Sequence, residues 1–141
     1  KGIHSMNIEL AILGAAALVT ISAAVQHYKT FLTGGLAFIF TDRSTATSAE
    51  GFAGRAERTL RNNIESSGMF VPPATLLLIL GEGGEGLPAL AAAVYLVARV
   101  GYTFSYWLAA NRLRSVLWGI GMAMIAIMTT AATMRVTGSF V

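Results

Sequence analysis

Residues 87–108 read LPALAAAVYLVARVGYTFSYWL, an almost uninterrupted apolar run with one charged residue, Arg99, near its centre. A run of this length crosses the hydrocarbon core of a bilayer as an α-helix, which needs about 20 apolar residues. An arginine that faces lipid at that depth costs at least about 2.5–3.5 kcal/mol. Arg99 is therefore expected to face other protein or a water-filled cavity, and the run predicts a transmembrane helix with a polar partner.

Three further apolar runs predict a bundle of four membrane-spanning helices. One run starts at Ile8, another becomes fully apolar from residue 69, and the last has no charge between residues 116 and 134. We place the spans at about residues 8–28, 56–80, 87–108 and 114–135, with a long loop at residues 30–54. The predicted fold is an all-α membrane protein with a single domain over residues 6–141. Residues 1–5 are expected to be a cloning remnant before a natural start at Met6.

The composition of the 141-residue chain agrees with a membrane protein. Hydrophobic residues make up 55% and charged residues 12%, and the mean hydropathy is +0.64. Soluble domains have about 25% charged residues. The absence of cysteine excludes disulfides, thiolate metal sites and cysteine nucleophiles, and two separated histidines make a metal site unexpected.

The positions of the basic residues predict the orientation of the chain in the membrane. Seven of the ten lie in or beside the first and third connections, whereas residues 81–86, the second connection, contain none. Cytoplasmic loops carry the excess of Lys and Arg, so these two connections are expected in the cytoplasm and both termini outside. No nucleic-acid partner is expected, because the charges do not form an exposed basic stripe. The residues are Lys29, Arg43, Arg55, Arg58, Arg61, Arg112 and Arg114.

The start of the second span carries a stripe of polar residues. Its members are spaced i, i+3, i+4 and i+7, which places them on one face of a helix. They are Arg58, Arg61, Asn62 and Glu65. Glu65 is the best candidate for the acidic partner of the intramembrane Arg99.

The third span carries a second stripe, in which Arg99, Tyr102 and Tyr106 are spaced i, i+3 and i+7. Single polar residues of this kind hold helices together or anchor a span at the membrane interface. Two stripes with this much charge, both toward the cytoplasmic half, instead favour a pocket for a small, polar, anionic ligand. Arginine binds the carboxylates of such a ligand through paired hydrogen bonds.

Both stripes resemble motifs of the MAPEG family, the membrane-associated proteins in eicosanoid and glutathione metabolism. The pattern Arg58-x-x-Arg61-Asn62-x-x-Glu65 is similar to the family signature. Residues 94–106 look much like the third helix of the family's leukotriene synthase. The region resembling the family's catalytic arginine, including an Arg-Ser pair as in its prostaglandin synthase, contains Arg112, Arg114 and Ser115. The resemblance covers nearly the whole chain from Met6.

The resemblance implies a homotrimer of four-helix subunits that binds glutathione, as co-substrate, between adjacent subunits and toward the cytoplasm. Glu65 suits the amino group of glutathione, and Arg58 and Arg61 suit its carboxylates. The full set of expected glutathione-binding residues is Arg58, Arg61, Asn62, Glu65, Arg99, Tyr102 and Tyr106.

The expected activity is that of a glutathione transferase or peroxidase, a detoxification chemistry acting on lipophilic electrophiles or hydroperoxides that arrive from membrane lipid. A thiol reacts as thiolate, and a nearby guanidinium favours the thiolate. Arg114 is the preferred thiolate-stabilising residue. Arg112 is the alternative, because the short third turn differs in length from that of family members and shifts the alignment with them by about one residue. Ser115 is expected to hydrogen-bond the sulfur.

Two other functions remain as alternatives. The first is a non-catalytic membrane scaffold or lipid-binding relative, like the family's lipoxygenase-activating member. The second is a small four-span multidrug exporter, which relies on an acidic residue deep in the first span. Glu9 lies at the edge of that span, so the exporter is disfavoured.

Overall fold

A computed structural model describes residues 7–40, 50–82, 84 and 86–138 of the chain. These residues form four helices and no strand, in the order α1 (Ile8–Ile39), α2 (Gly51–Ile79), α3 (Gly86–Trp107) and α4 (Asn111–Val136). The prediction of an all-helical protein with four helices is confirmed. Short connections make α2 antiparallel to α3 and α3 antiparallel to α4.

The first two helices extend beyond the predicted spans. α1 continues to Ile39 instead of ending near residue 28, and α2 begins at Gly51, so much of the predicted loop at residues 30–54 is helical. Apolar sequence marks only the part of a helix that lies in lipid, and the helix itself can continue into water. α1 is kinked at Gly35, whose backbone φ of 70° is accessible to glycine without a clash of Cβ. Residues 1–5 and Arg43 lie outside the described residues.

Three helical segments are long and apolar enough to cross a membrane: Ile8–Leu32, Gly86–Trp107 and Asn111–Val136. α2 does not meet the same criteria, because its apolar run is confined to residues 69–80. The first half of α2 carries Arg55, Glu57, Arg58, Arg61 and Glu65. The second of the four predicted spans therefore stays a prediction.

α2 and α3 form the centre of the bundle. Each packs against all of the other helices, whereas the described parts of α1 and α4 do not contact each other. The apolar core is centred on Phe70 and Tyr95, whose stacked rings have centroids 3.9 Å apart. Leu77 and Met128 are buried in the same core. Burial of each such side chain contributes about 1.5–3 kcal/mol, so this half of the bundle is held mainly by apolar packing.

The opposite half ends at the connection between α3 and α4, where α3 stops in a left-handed turn. Ala109 has a φ of 60°, and the amide of Ala110 donates to the carbonyl of Ser105 at 2.8 Å. This pattern satisfies the last carbonyls of α3, but a side chain in the left-handed region costs about 1–2 kcal/mol. The turn sets the start of α4 and therefore the direction of each α4 side chain. We call this end of the molecule the basic end; Arg55, Arg58, Arg112 and Arg114 lie near it.

Replacing Ala109 by glycine is expected to raise the free energy of unfolding by roughly 0.5–1 kcal/mol, because glycine adopts this φ without strain but loses more chain entropy on folding. Denaturant unfolding in detergent micelles would measure the change. The β-branched control Ala109→Val is expected to destabilise the protein. A loss of stability in Ala109→Gly would show that the turn does not require the left-handed conformation.

Candidate functional site

A cavity of about 280 Å³ lies near the basic end, between α2, α3 and α4. Its volume is close to the lower limit for small-molecule sites, which measure about 300–1,000 Å³. Five of its six lining residues belong to the set predicted from the sequence. The lining residues are Asn62, Tyr102, Tyr106, Arg114, Ser115 and Trp118.

Two tyrosines of α3 form an aromatic wall of the cavity. The rings of Tyr102 and Tyr106 meet edge to face, with centroids 5.6 Å apart and an interplanar angle of 73°. Aromatic pairs prefer this arrangement, because the positive ring edge faces the negative ring face. Tyr102 is buried and anchors the wall in the bundle, whereas Tyr106 is half-buried and presents its ring to the cavity.

Tyr106 contacts two guanidinium groups from two other helices. Arg58 of α2 donates a hydrogen bond from Nε to the Tyr106 hydroxyl at 3.2 Å. Arg114 of α4 places its Cζ 4.7 Å from the centroid of the Tyr106 ring. A cation over a tyrosine face is attracted to the ring, so Arg114 is held at the cavity by contact with α3. The two arginines together give the cavity a positive charge that suits an anion.

Ser115 and Trp118 complete the α4 side of the cavity. The Ser115 hydroxyl donates to the carbonyl of Asn111 at 3.1 Å, so donation to a ligand requires rotation of this side chain. Trp118 was missed by the sequence analysis. Its position four residues after Arg114, on the same helix face, is the signal that would have identified it. Its half-exposed indole supplies an apolar wall beside the charged one.

The structure separates the two arginines between which the sequence left the choice open. Arg114 lines the cavity, whereas Arg112 is exposed and absent from the lining. Residues two positions apart on an α-helix are rotated by about 200° around its axis. The side chains of Arg112 and Arg114 therefore cannot both face the cavity.

The polar stripe on α2 is divided between two surfaces. Asn62 lines the cavity, and Arg58 reaches it through Tyr106. Arg61 and Glu65 lie toward α1 and form an ion pair, with Arg61 Nε 3.1 Å from Glu65 Oε1 and side-chain exposures of 79% and 55%. They line a separate cleft that also contains Gln26. One chain thus brings together only part of the predicted glutathione-binding set.

The predicted pairing of Arg99 with Glu65 is wrong. Arg99 is 3% exposed, and its Nη2 donates a hydrogen bond to Oδ1 of Asn63. Its Cζ lies 4.2 Å from the centroid of the Tyr102 ring. In the described part of the chain no carboxylate forms an ion pair with Arg99. The structure places Arg99 behind Tyr102 and not among the residues that line the cavity.

Asn63, which the sequence analysis did not identify, joins three helices. Its Nδ2 donates to the Ser22 hydroxyl of α1 at 2.9 Å and to the Thr103 hydroxyl of α3 at 3.0 Å. Its Oδ1 accepts from Arg99. The signal for it was a series of small polar residues at helical spacing, in which Thr59 and Ser66 precede and follow Asn63 on the buried face of α2.

Comparison with known proteins relates the chain to one family. The sequence model of the MAPEG family matches residues 9–134. Among curated proteins and among solved structures, none matches the chain significantly. The matched range contains every residue that lines the cavity, together with Asn63 and Arg99.

Removal of the exposed Arg61–Glu65 ion pair has a small expected effect within a single subunit. Exposed pairs at i and i+4 contribute about 0.3–0.5 kcal/mol, because water screens them. We expect Glu65→Gln to lower the unfolding free energy by no more than this in a monomeric preparation. The measurement is denaturant unfolding in micelles, with Glu57→Gln as the control on the same helix. A loss of several kcal/mol would show that the pair is not screened by water within one subunit.

Proposed function

The chain belongs to the MAPEG family, and on that basis we propose that it is a membrane-embedded glutathione transferase that also reduces lipophilic hydroperoxides. The observation that carries the proposal is the Arg114 guanidinium, which lines the cavity while lying against the Tyr106 ring. Arginine stays protonated under all physiological conditions, and a fixed positive charge beside a bound thiol favours its thiolate.

The proposed transfer reaction forms one carbon–sulfur bond and breaks one bond to a leaving group. The glutathione thiol releases its proton to water, and the thiolate attacks the electrophilic carbon. The leaving group departs with the electron pair of the bond that breaks. With a hydroperoxide, the thiolate attacks the terminal oxygen and the O–O bond breaks. The products are a sulfenic acid and an alkoxide, which takes a proton from water to become the alcohol. A second glutathione converts the sulfenic acid to a disulfide and water.

The remaining residues are assigned by their chemistry. Arg58 binds a carboxylate of glutathione, and Asn62 binds its peptide groups through an amide that both donates and accepts hydrogen bonds. In this binding mode the Tyr106 hydroxyl lies between the carboxylate of glutathione at Arg58 and its thiol at Arg114. Trp118 supplies apolar contact for the lipophilic co-substrate. Val116 and Ile120 on the same helix are exposed and apolar, which supports arrival of this substrate from the bilayer.

A homotrimer is part of this proposal, and the exposed charges of α2 support it. Arg61 and Glu65 lie on the outside of a bundle that is otherwise apolar over much of its surface. Charged side chains are costly wherever such a surface meets lipid, so a neighbouring subunit that covers this surface stabilises the assembly. In the trimer, Glu65 of one subunit binds the amino group of a glutathione whose thiol lies at Arg114 of another.

Glutathione titrated into the purified protein tests the thiolate site. We expect a saturable ultraviolet absorbance of the thiolate in the unmodified protein. Arg114→Ala is expected to lose this signal and to lower kcat/KM by roughly 100-fold or more, the scale seen when one charge-stabilising donor is removed from an active site.

Arg112→Ala is the matched control, since it removes the same charge from a position outside the cavity. It is expected to retain the thiolate signal. Equal losses in both variants would place the sulfur elsewhere. Absence of glutathione binding at millimolar concentration, with lipid copurifying, would favour the non-catalytic scaffold.

The mass of the detergent-solubilised particle tests the assembly. Native mass spectrometry is expected to give three chains per particle, as the proposed homotrimer requires. A particle of one chain with full conjugating activity would overturn the trimer while leaving the thiolate proposal intact.

A further inference from the structure

We propose that Asn63 is a positioning residue for the thiolate-stabilising Arg114, an inference that rests on the proposed function. Asn63 does not line the cavity. It acts through a continuous series of contacts that runs from Asn63 to Arg99, then through the edge-to-face rings of Tyr102 and Tyr106 to Arg114.

The orientation of the Asn63 amide is determined by its neighbours. The Ser22 hydroxyl donates to the carbonyl of Leu18 at 2.8 Å, and the Thr103 hydroxyl donates to the carbonyl of Arg99 at 2.9 Å. Both hydroxyls have therefore used their only proton and can only accept from Asn63. The NH₂ group of Asn63 must face them, so its oxygen must face the guanidinium of Arg99.

Arg99 is held on two sides. The Asn63 oxygen accepts from its Nη2, and the side-chain stem lies near α4, where a Cβ added to the buried Gly121 would be 3.5 Å from Arg99 Cδ. A desolvated guanidinium has lost its water contacts, so the few protein groups around it decide where its plane lies. The Cζ of this guanidinium lies over the Tyr102 ring, 4.2 Å from its centroid.

The two tyrosine rings transmit this placement to the cavity. Tyr102 meets Tyr106 edge to face, and the face of Tyr106 receives Arg114 at 4.7 Å. The groups are thus arranged in space as the Arg99 cation, two aromatic rings and the Arg114 cation. Rotation of Tyr102 after loss of its cation would displace the edge contact and with it the surface on which Arg114 rests.

Three variants separate positioning from a general loss of stability. Asn63→Ala removes the acceptor for Arg99 and both donors. Asn63→Asp keeps an acceptor oxygen for Arg99 and loses the two donors. Ser22→Ala removes one hydrogen bond of the same network without touching Arg99.

The first readout is the pH titration of bound glutathione thiolate, followed by its ultraviolet absorbance. Asn63→Ala is expected to raise the midpoint by about one pH unit, which is roughly tenfold less thiolate at lower pH. Asn63→Asp restores the midpoint, and Ser22→Ala leaves it unchanged. Melting temperatures are measured in parallel, since a merely structural role lowers them in all three variants without moving the midpoint.

The second readout needs no glutathione. In a Trp107→Phe background Trp118 is the remaining tryptophan, and iodide, which Arg114 attracts, quenches its fluorescence. Asn63→Ala is expected to lower this quenching toward the value of Arg114→Ala, and Ser22→Ala is expected to leave it unchanged. Failure of glutathione to bind would overturn the proposed function, while iodide quenching would still decide the role of Asn63.

Unchanged quenching and an unchanged midpoint in Asn63→Ala would overturn the positioning role. An equal shift in Ser22→Ala would overturn it as well. If Asn63→Ala does not fold, Arg99→Lys takes its place, since it keeps the charge but loses the planar group over Tyr102. Arg99→Lys is expected to shift both readouts in the same direction, and normal values would contradict the proposal.

Discussion

The buried guanidinium of Arg99 is the constraint on which the arrangement of the polar half depends. A charge removed from water destabilises a fold by several kcal/mol unless hydrogen bonds and dipoles replace the water. Here the Asn63 oxygen and the Tyr102 ring supply that replacement. Asn63 is fixed in turn by hydroxyls of α1 and α3. The relative rotation of α2 and α3 is therefore set by a polar contact and not by apolar packing alone.

The bundle divides into one half held by apolar packing and one half held by polar and charged contacts. Stacked Phe70 and Tyr95 dominate one half, where apolar side chains interdigitate and carry no charge. A hydrogen bond of 3.0 Å between the hydroxyls of Ser66 and Tyr95 marks the boundary. Beyond it the same helices carry amides, hydroxyls and guanidinium groups. The proposed glutathione site needs such a polar half, and the proposed lipophilic co-substrate needs the apolar surface beside it.

The division of the α2 stripe bears on why a single chain does not hold the whole predicted site. Arg58 and Asn62 lie on the side of the stripe nearer the cavity, while Arg61 and Glu65 lie on the side that lines the cleft with Gln26. The spacing spreads these side chains over roughly 100° of the helix circumference. A stripe of that width contacts two surfaces, which suits a site built at the boundary between subunits. The proposed trimer and the proposed glutathione site thus have the same geometric origin.

The sequence by itself determined the helical class, the number of helices, the family and most of the cavity lining, because hydropathy and helical spacing are properties of neighbouring residues. The partner of Arg99 was decided only by the tertiary structure. Asn62 and Asn63 are chemically identical and differ by about 100° around α2, and only the rotation of that helix in the bundle sends one to the cavity and the other to Arg99. The presence of Arg114 and not Arg112 in the cavity lining has the same origin, since the left-handed turn at Ala109 sets the phase of α4.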